Sequence, residues 1–321
     1  MPRWNWDFDG EQRSRRRPTA PATRAALPAP GTPADRARIR RRRAGAGLGL
    51  LLVVVIALVI ALAPGAHHAH AATPAKLASA NPATRAKPRD VDVPNPAAAV
   101  KAVLAYTPFV KAGAGRGRDI ALTFDDGPGP YTPGVLSVLE HYHVRATFFE
   151  VGAMLRYFSA STVREVRDGD VIGDHTETHP FLATLSRHDQ REQLFEQIAR
   201  VELADGPRPL LFRPPYGSYN ATTMRELRSL HLLMVLWSVD SEDYLQPGVA
   251  TIVQRALAGA HPGAIVLMHD AGGTRTQTIE ALPIIIRELR ARGFHLVTVP
   301  QLLQDDPPPA GQPLPSSLSG D

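Results

Sequence analysis

Two adjacent carboxylates, Asp125 and Asp126, close a short apolar run and are followed at once by Gly127 and Pro128, in the stretch DIALTFDDGPGP. Ile120, Leu122 and Phe124 alternate with Ala121 and Thr123, and their β-branched and aromatic content favours a strand that the Gly-Pro pair ends. The acids therefore belong at a strand's C-terminal end. Successive strand side chains point to opposite faces, but a turn beginning at the second acid can swing both carboxylates toward one cleft, one for a metal and one to act as a base. Like charges this close repel unless something cationic joins them. A solvated Asp-Asp-Gly turn is the plain alternative.

Other stretches offer partners. His175 and His179 lie four residues apart in DHTETHP. Even in a loose turn both imidazoles can reach one ion at about 2.0 to 2.1 Å. Pro180 disfavours α conformation at His179, so a single turn is expected there, not a long helix. Two histidines and one strand-end carboxylate make a ligand set suited to catalytic zinc, with Glu177 as the rival third ligand. The chain has no cysteine, so any metal must be held by His, Asp or Glu. Arg213-Pro214-Pro215-Tyr216-Gly217 cannot continue a helix or a ladder. Its pinned backbone can present an N–H to an oxyanion and a guanidinium to a carboxylate. Asp240, Glu242, Asp243 and Tyr244 follow another apolar run, and His269-Asp270 follows a third.

The elements that must position these groups alternate. Strand-like runs cover 120–124, 146–151, 170–173, 210–213, 232–239, 264–268 and 294–297. Helical stretches cover 134–141, 161–168, 189–203, 222–230, 249–258 and 278–292. Such alternation over about 180 residues predicts a parallel sheet and a closed or nearly closed β/α barrel, with chemistry where strands end. An open doubly wound sheet is the alternative, although no Gly-rich phosphate loop is visible.

Charge is uneven along the chain. Of 36 basic and 31 acidic residues, 12 and 4 lie in 1–43, a local net of +8, which leaves −3 for the remainder. The sequence pI near 9.7 thus belongs to the N-terminal stretch, and no nucleic-acid partner is expected. Residues 1–43, rich in Arg, Pro and Ala, are expected to be a disordered cytoplasmic tail. The charge-free run 44–63 has the length of a membrane span, and the arginines crowding its N-terminal side predict a single-pass anchor with everything after it exported. Secretion after cleavage near Ala69-His70-Ala71 is the alternative. Residues 64–118 are expected to be a Pro/Ala-rich linker and pre-barrel segment, 119–301 the main domain, and 302–321 a disordered tail.

In this order, DD, HxxxH, RPPY, DxxDY and LMH resemble the polysaccharide deacetylases of carbohydrate esterase family four over roughly residues 119–299. The resemblance implies an α/β fold, a distorted (β/α)7-type barrel, and metal-dependent removal of acetyl groups, mostly N-acetyl from amino sugars. By resemblance Asp125 is the catalytic base and Asp126, His175 and His179 bind the metal, Zn2+ first with Co2+ or Mn2+ as alternatives. Arg213 orients the base, the backbone N–H of Tyr216 helps hold the oxyanion, and His269 is the general acid tuned by Asp243. Leu267 and Tyr244 line the pocket for the acetyl methyl. Tyr244 stands where the family pattern often has Trp. The implied partner is an acetylated extracytoplasmic polysaccharide, of peptidoglycan or chitin type. An O-acetyl xylan-type esterase and a glycan-binding pseudoenzyme of the same fold are the alternatives.

Overall fold

The computed structural model describes residues 96–311. Along the chain these form α1 (Pro96–Leu104), β1 (Phe109–Val110), β2 (Asp119–Asp125), α2 (Thr132–Tyr142), β3 (Thr147–Glu150), α3 (Gly152–Asp168), β4 (Val171–Asp174) and α4 (Arg187–Leu203). There follow β5 (Leu211–Phe212), α5 (Ala221–Leu230), β6 (Leu233–Val235), β7 (Val239–Asp240), α6 (Val249–Ala258), β8 (Ile265–His269), α7 (Thr276–Ala291), β9 (His295–Val297) and α8 (Val299–Asp305).

The strand pairings are all parallel, in the order β1-β6-β5-β4-β3-β2-β8-β7, with β9 on β2. Strands β6 and β7 are three residues apart in the chain, yet β6 pairs with β1 and β5 while β7 sits at the other end on β8. Val235 and Val239 are four Cα steps apart, a reach of only about 13 to 14 Å, so the sheet must curl to bring its ends together. The architecture is a curled, parallel-stranded α/β half-barrel.

Strand alternation sorts the side chains between its two sides. Ile120, Leu122 and Phe124 join α2, α6 and α7 in an outer core, while Ala121 packs with Phe149, Leu211, Leu233, Val235 and Ile265 in a separate inner one. Val100 and Val103 of α1 and Val299, Leu302 and Leu303 of α8 plug the inner core. Thr123 and Asp125 continue the inner face of β2. Register then aligns the strand ends: Asp125 stands beside His269, Glu150 beside Asp174, and Asp174 beside Phe212.

Several sequence expectations change here. The run 232–239 is two strands, because Leu236 donates to Val110 at one end of the sheet while Ser238 donates to Ile265 at the other. Strand β1 is too short to carry a period-2 signal. The ordered body also reaches beyond 119–301 on both sides. Buried Asp306 accepts from the backbone N–H groups of Gly115 (2.7 Å) and Arg116 (3.2 Å), tying the stretch before β2 to the one after α8. Segment 96–118 and residues 302–311 are thus part of the fold, and the rest of the expected tail, 312–321, lies outside the described residues. Among the described residues no helix is long and apolar enough to cross a membrane. The expected span 44–63 and tail 1–43 lie outside the described residues.

Candidate active site

Asp125 ends β2 on the inner face and is 3% exposed, so its charge needs a partner. Arg213, at the end of β5, supplies it: Nη1 donates to Asp125 Oδ1 at 2.7 Å and to Thr123 Oγ1 at 2.8 Å. Nε donates to the carbonyl of Val235 (3.1 Å) and Nη2 to that of Leu236 (3.3 Å), while the guanidinium carbon lies 4.1 Å from the centre of the Phe149 ring. Every guanidinium nitrogen of this fully buried side chain is therefore used. Burial pulls the Arg213 pKa down and Asp125 opposes that pull. Asp125 Oδ2 is left facing His175, 3.8 Å from its Nε2.

Asp126 adopts φ 78°, a left-handed conformation that Asp tolerates, and this breaks the strand alternation. Its Oδ1 lies 3.1 Å from His179 Nε2 and 3.5 Å from His175 Nε2. The ligand atoms of these three buried residues fall within 4.8 Å of one another. Donors bonded to one tetrahedral ion at about 2.0 to 2.2 Å stand about 3.3 to 3.6 Å apart, so the spacing fits a divalent metal. The donor chemistry agrees. His175 Nδ1 sits 2.8 Å from the carbonyl of Arg213, which can only accept, so the proton belongs on Nδ1 and the lone pair on Nε2. Asp126 Oδ1 is buried without a hydrogen bond of ordinary geometry, as expected of an oxygen awaiting a cation. Burial alone would raise the Asp126 pKa, but His179, His175 and His269 together hold it well below the usual carboxylate range. Burial lowers the His179 pKa against the pull of Asp126, which favours the neutral ligand form.

The histidine pair is delivered by an irregular loop. Thr176 and His179 both have positive φ, and the loop is held by Thr176 N–H to Asp174 Oδ1 (2.7 Å) and His179 N–H to Thr176 Oγ1 (3.0 Å). Glu177 does not compete for the metal. Its carboxylate accepts from Arg200 Nε at 3.3 Å and lies near Arg156, outside the cluster.

His269 ends β8 opposite Asp125. Its Nδ1 lies 2.8 Å from Asp243 Oδ1 and its backbone N–H donates to Asp243 Oδ2 at 2.9 Å, an oxygen that also accepts from Thr278 Oγ1 at 2.7 Å. With Nδ1 committed, Nε2 is the nitrogen left to meet a substrate. Burial would depress the His269 pKa, but Asp243 outweighs it by charge and hydrogen bond and raises it to about 9. Tyr244 stands edge-on to His269 with ring centres 5.2 Å apart, and Leu267 lies two residues earlier on β8, buried. Tyr216 is left-handed (φ 57°), its ring edge-on to His179 at 4.6 Å and stacked on Phe181 at 4.0 Å. All ten residues expected from the sequence thus lie in or beside one strand-end cleft. Thr123, Thr278, Phe181 and Trp237, whose ring centre lies 5.7 Å from the Arg213 guanidinium carbon, were not among them.

Comparison with known proteins decides the family. A polysaccharide deacetylase profile matches residues 112–235. The chitooligosaccharide deacetylase of Rhizobium leguminosarum bv. trifolii is 36% identical over 213 residues, covering 63% of this chain and 99% of that protein. The chain belongs to the polysaccharide deacetylase family. Peptidoglycan-N-acetylmuramic acid deacetylase PdaC of Bacillus subtilis is 39% identical over 57% of this chain, a stretch that spans only 38% of PdaC. The crystal structure of the Bc1960 peptidoglycan N-acetylglucosamine deacetylase superposes with a TM-score of 0.60 at 32% identity, covering 64% of this chain and 97% of that one.

In this deacetylase-family site Asp243 favours the charged imidazole, so Asp243→Asn should lower the His269 pKa from about 9. An activity that needs protonated His269 falls as pH rises through that pKa, so its alkaline limb should move to lower pH. Imidazole NMR titration of both proteins measures the shift; an unchanged His269 pKa would remove Asp243 as its cause.

Proposed function

We propose that the chain is a metal-dependent N-deacetylase acting on N-acetylated amino sugars of an extracytoplasmic polysaccharide, of peptidoglycan or chitin type. The observation that carries this reading is the meeting, in one cleft, of three differently prepared groups: an Arg-held carboxylate, a two-histidine carboxylate set, and a carboxylate-held imidazole. The peptidoglycan and chitooligosaccharide deacetylases among its relatives support the substrate class.

Asp126, His175 and His179 would hold a divalent ion, Zn2+ ahead of Co2+ or Mn2+, which when bound supplies Lewis acidity and acidifies water. Asp125, its Oδ1 anchored by Arg213, takes the attacking water's proton on Oδ2. The backbone N–H of Tyr216 helps to hold the oxyanion, and Leu267 with Tyr244 encloses the acetyl methyl. An amine leaves poorly unless protonated, and His269 Nε2 gives that proton while Nδ1 stays on Asp243. A His269 pKa raised to about 9 keeps the acid charged at neutral pH, which suits an amide better than an O-acetyl ester.

An exported catalytic domain would suit this substrate. The arginine cluster before the apolar run 44–63 favours a membrane anchor with the catalytic domain outside, the cleaved and secreted form being the alternative. Protease added to intact cells should cut within 119–299; protection there, while an exported control is cut, would refute it.

The catalytic reading is tested by acetate release from peptidoglycan, chitin oligomers and acetylated xylan. Chelation should abolish release and Zn2+ or Co2+ restore it, whereas full activity of a verified metal-free sample would contradict the metal role. His175→Ala should lose metal and activity together. His269→Ala should retain metal by calorimetry while turnover falls about 10² to 10⁴-fold, the contribution of a positioned acid. Equal metal loss in both variants would make His269 a ligand.

A further inference from the structure

Phe181 lies outside the family's signature residues in this sequence, yet it extends the site. Its ring lies flat on that of Tyr216, centres 4.0 Å apart and planes within 14°, and Tyr216 in turn meets His179 edge-on. The two residues remain 46% and 42% exposed, although burying large aromatic side chains is what ordinarily stabilises them. Nor is the stack a loose collapse of two loops. Leu182, next in sequence, is fully buried; Ala183 N–H donates to Ser218 Oγ at 3.2 Å, and Asn220 Nδ2 donates to the carbonyl of Ala183 at 2.8 Å. Pro180 restricts the backbone before Phe181, as Pro214 and Pro215 do before Tyr216. The loops are cross-linked so that two aromatic rings face solvent from a rigid base, continuous with the metal-binding histidine.

We propose that the Phe181–Tyr216 stack is a sugar-binding ledge that holds the pyranose next to the one being deacetylated. A pyranose whose substituents are equatorial presents a sheet of C–H groups, and the negative face of an aromatic ring attracts such positive hydrogens. The reacting acetamide must lie between the histidine pair and His269, so a ring lying two aromatic steps out from His179 meets the adjoining unit. A preformed ledge costs little ordering on binding, and it contributes only when a second sugar is present. The inference rests on the amino-sugar substrate class proposed above and extends it: oligomers are preferred to single sugars, through binding.

The test compares the full metal-loaded chain with Phe181→Ala, Phe181→Leu and Phe181→Trp. Acetate release is followed from N-acetylglucosamine and from its β-1,4-linked tetramer, and calorimetry follows binding of the deacetylated tetramer, which is not consumed. The ratio of kcat/KM for tetramer over monomer should fall about tenfold or more in Phe181→Ala, the change that about 1.4 kcal/mol of lost contact produces, and the loss should lie in KM. Phe181→Leu, which keeps apolar bulk without a flat face, should lose as much, and Phe181→Trp should recover it. Metal content should match the parent in all three. An unchanged ratio, or an equal loss on monomer and tetramer, would overturn the ledge. Should the parent chain release no acetate, the deacetylase reading falls on its own, and the calorimetric affinity of the tetramer for parent and Phe181→Leu still decides the ledge.

Discussion

The ion pair between Arg213 and Asp125 is the interaction on which the rest of the site depends. Two charges taken this far from water cost several kcal/mol each in desolvation, and only good geometry with further hydrogen bonds offsets that cost. The fold meets both conditions. Arg213 spends one nitrogen on Asp125 and Thr123 and the other two on the carbonyls of Val235 and Leu236. Those carbonyls are turned toward it where the chain leaves β6 and crosses to the far end of the sheet. The break in the strand and the satisfaction of the arginine are thus one feature. The pair also separates two adjacent aspartates: Asp125 is neutralised by protein, and Asp126 is left with its oxygen facing imidazoles.

The same economy of environment distinguishes three histidines. His175 points Nδ1 at a carbonyl, and burial disfavours the charge of His179; both arrangements leave a lone pair to offer. His269 points Nδ1 at a carboxylate that is itself held by Thr278 and the His269 backbone, and it is raised to about 9. His175 and His269 thereby become ligand and acid according to whether Nδ1 meets a neutral or a charged acceptor. This division is a property of hydrogen-bond partners, which lie 26 to 38 residues away in the chain.

How much of this was legible in the sequence follows from the range of the interactions involved. Strand ends were readable because apolar runs stop abruptly at Asp125, Asp174, Arg213 and His269, and a parallel register then brings those ends together. The conformation of 175–179 was not, because helical spacing of the histidines says nothing about the positive φ that Thr176 and His179 adopt. The split of 232–239 was hidden for a related reason: residues 232–237 are an unbroken apolar run and Val239 is apolar too, so only the sheet's closure separates the two strands. Asp306 reads as one acid in a Pro-rich tail, and its capping of Gly115 spans 191 residues. Phe181 follows a histidine-proline pair without any periodic pattern, so its stacking on Tyr216 has no sequence signature.

The account's central claim is that the buried arginine reserves Asp125 for proton transfer and leaves Asp126, His175 and His179 to hold the ion. Anomalous diffraction from crystals of the zinc-loaded protein tests this most directly. The account predicts one peak within about 2.0 to 2.2 Å of an Asp126 oxygen and the Nε2 atoms of His175 and His179, the usual zinc bond lengths, with Arg213 still on Asp125. A peak bonded to Asp125, Glu177 or His269 in place of any of these three would contradict it.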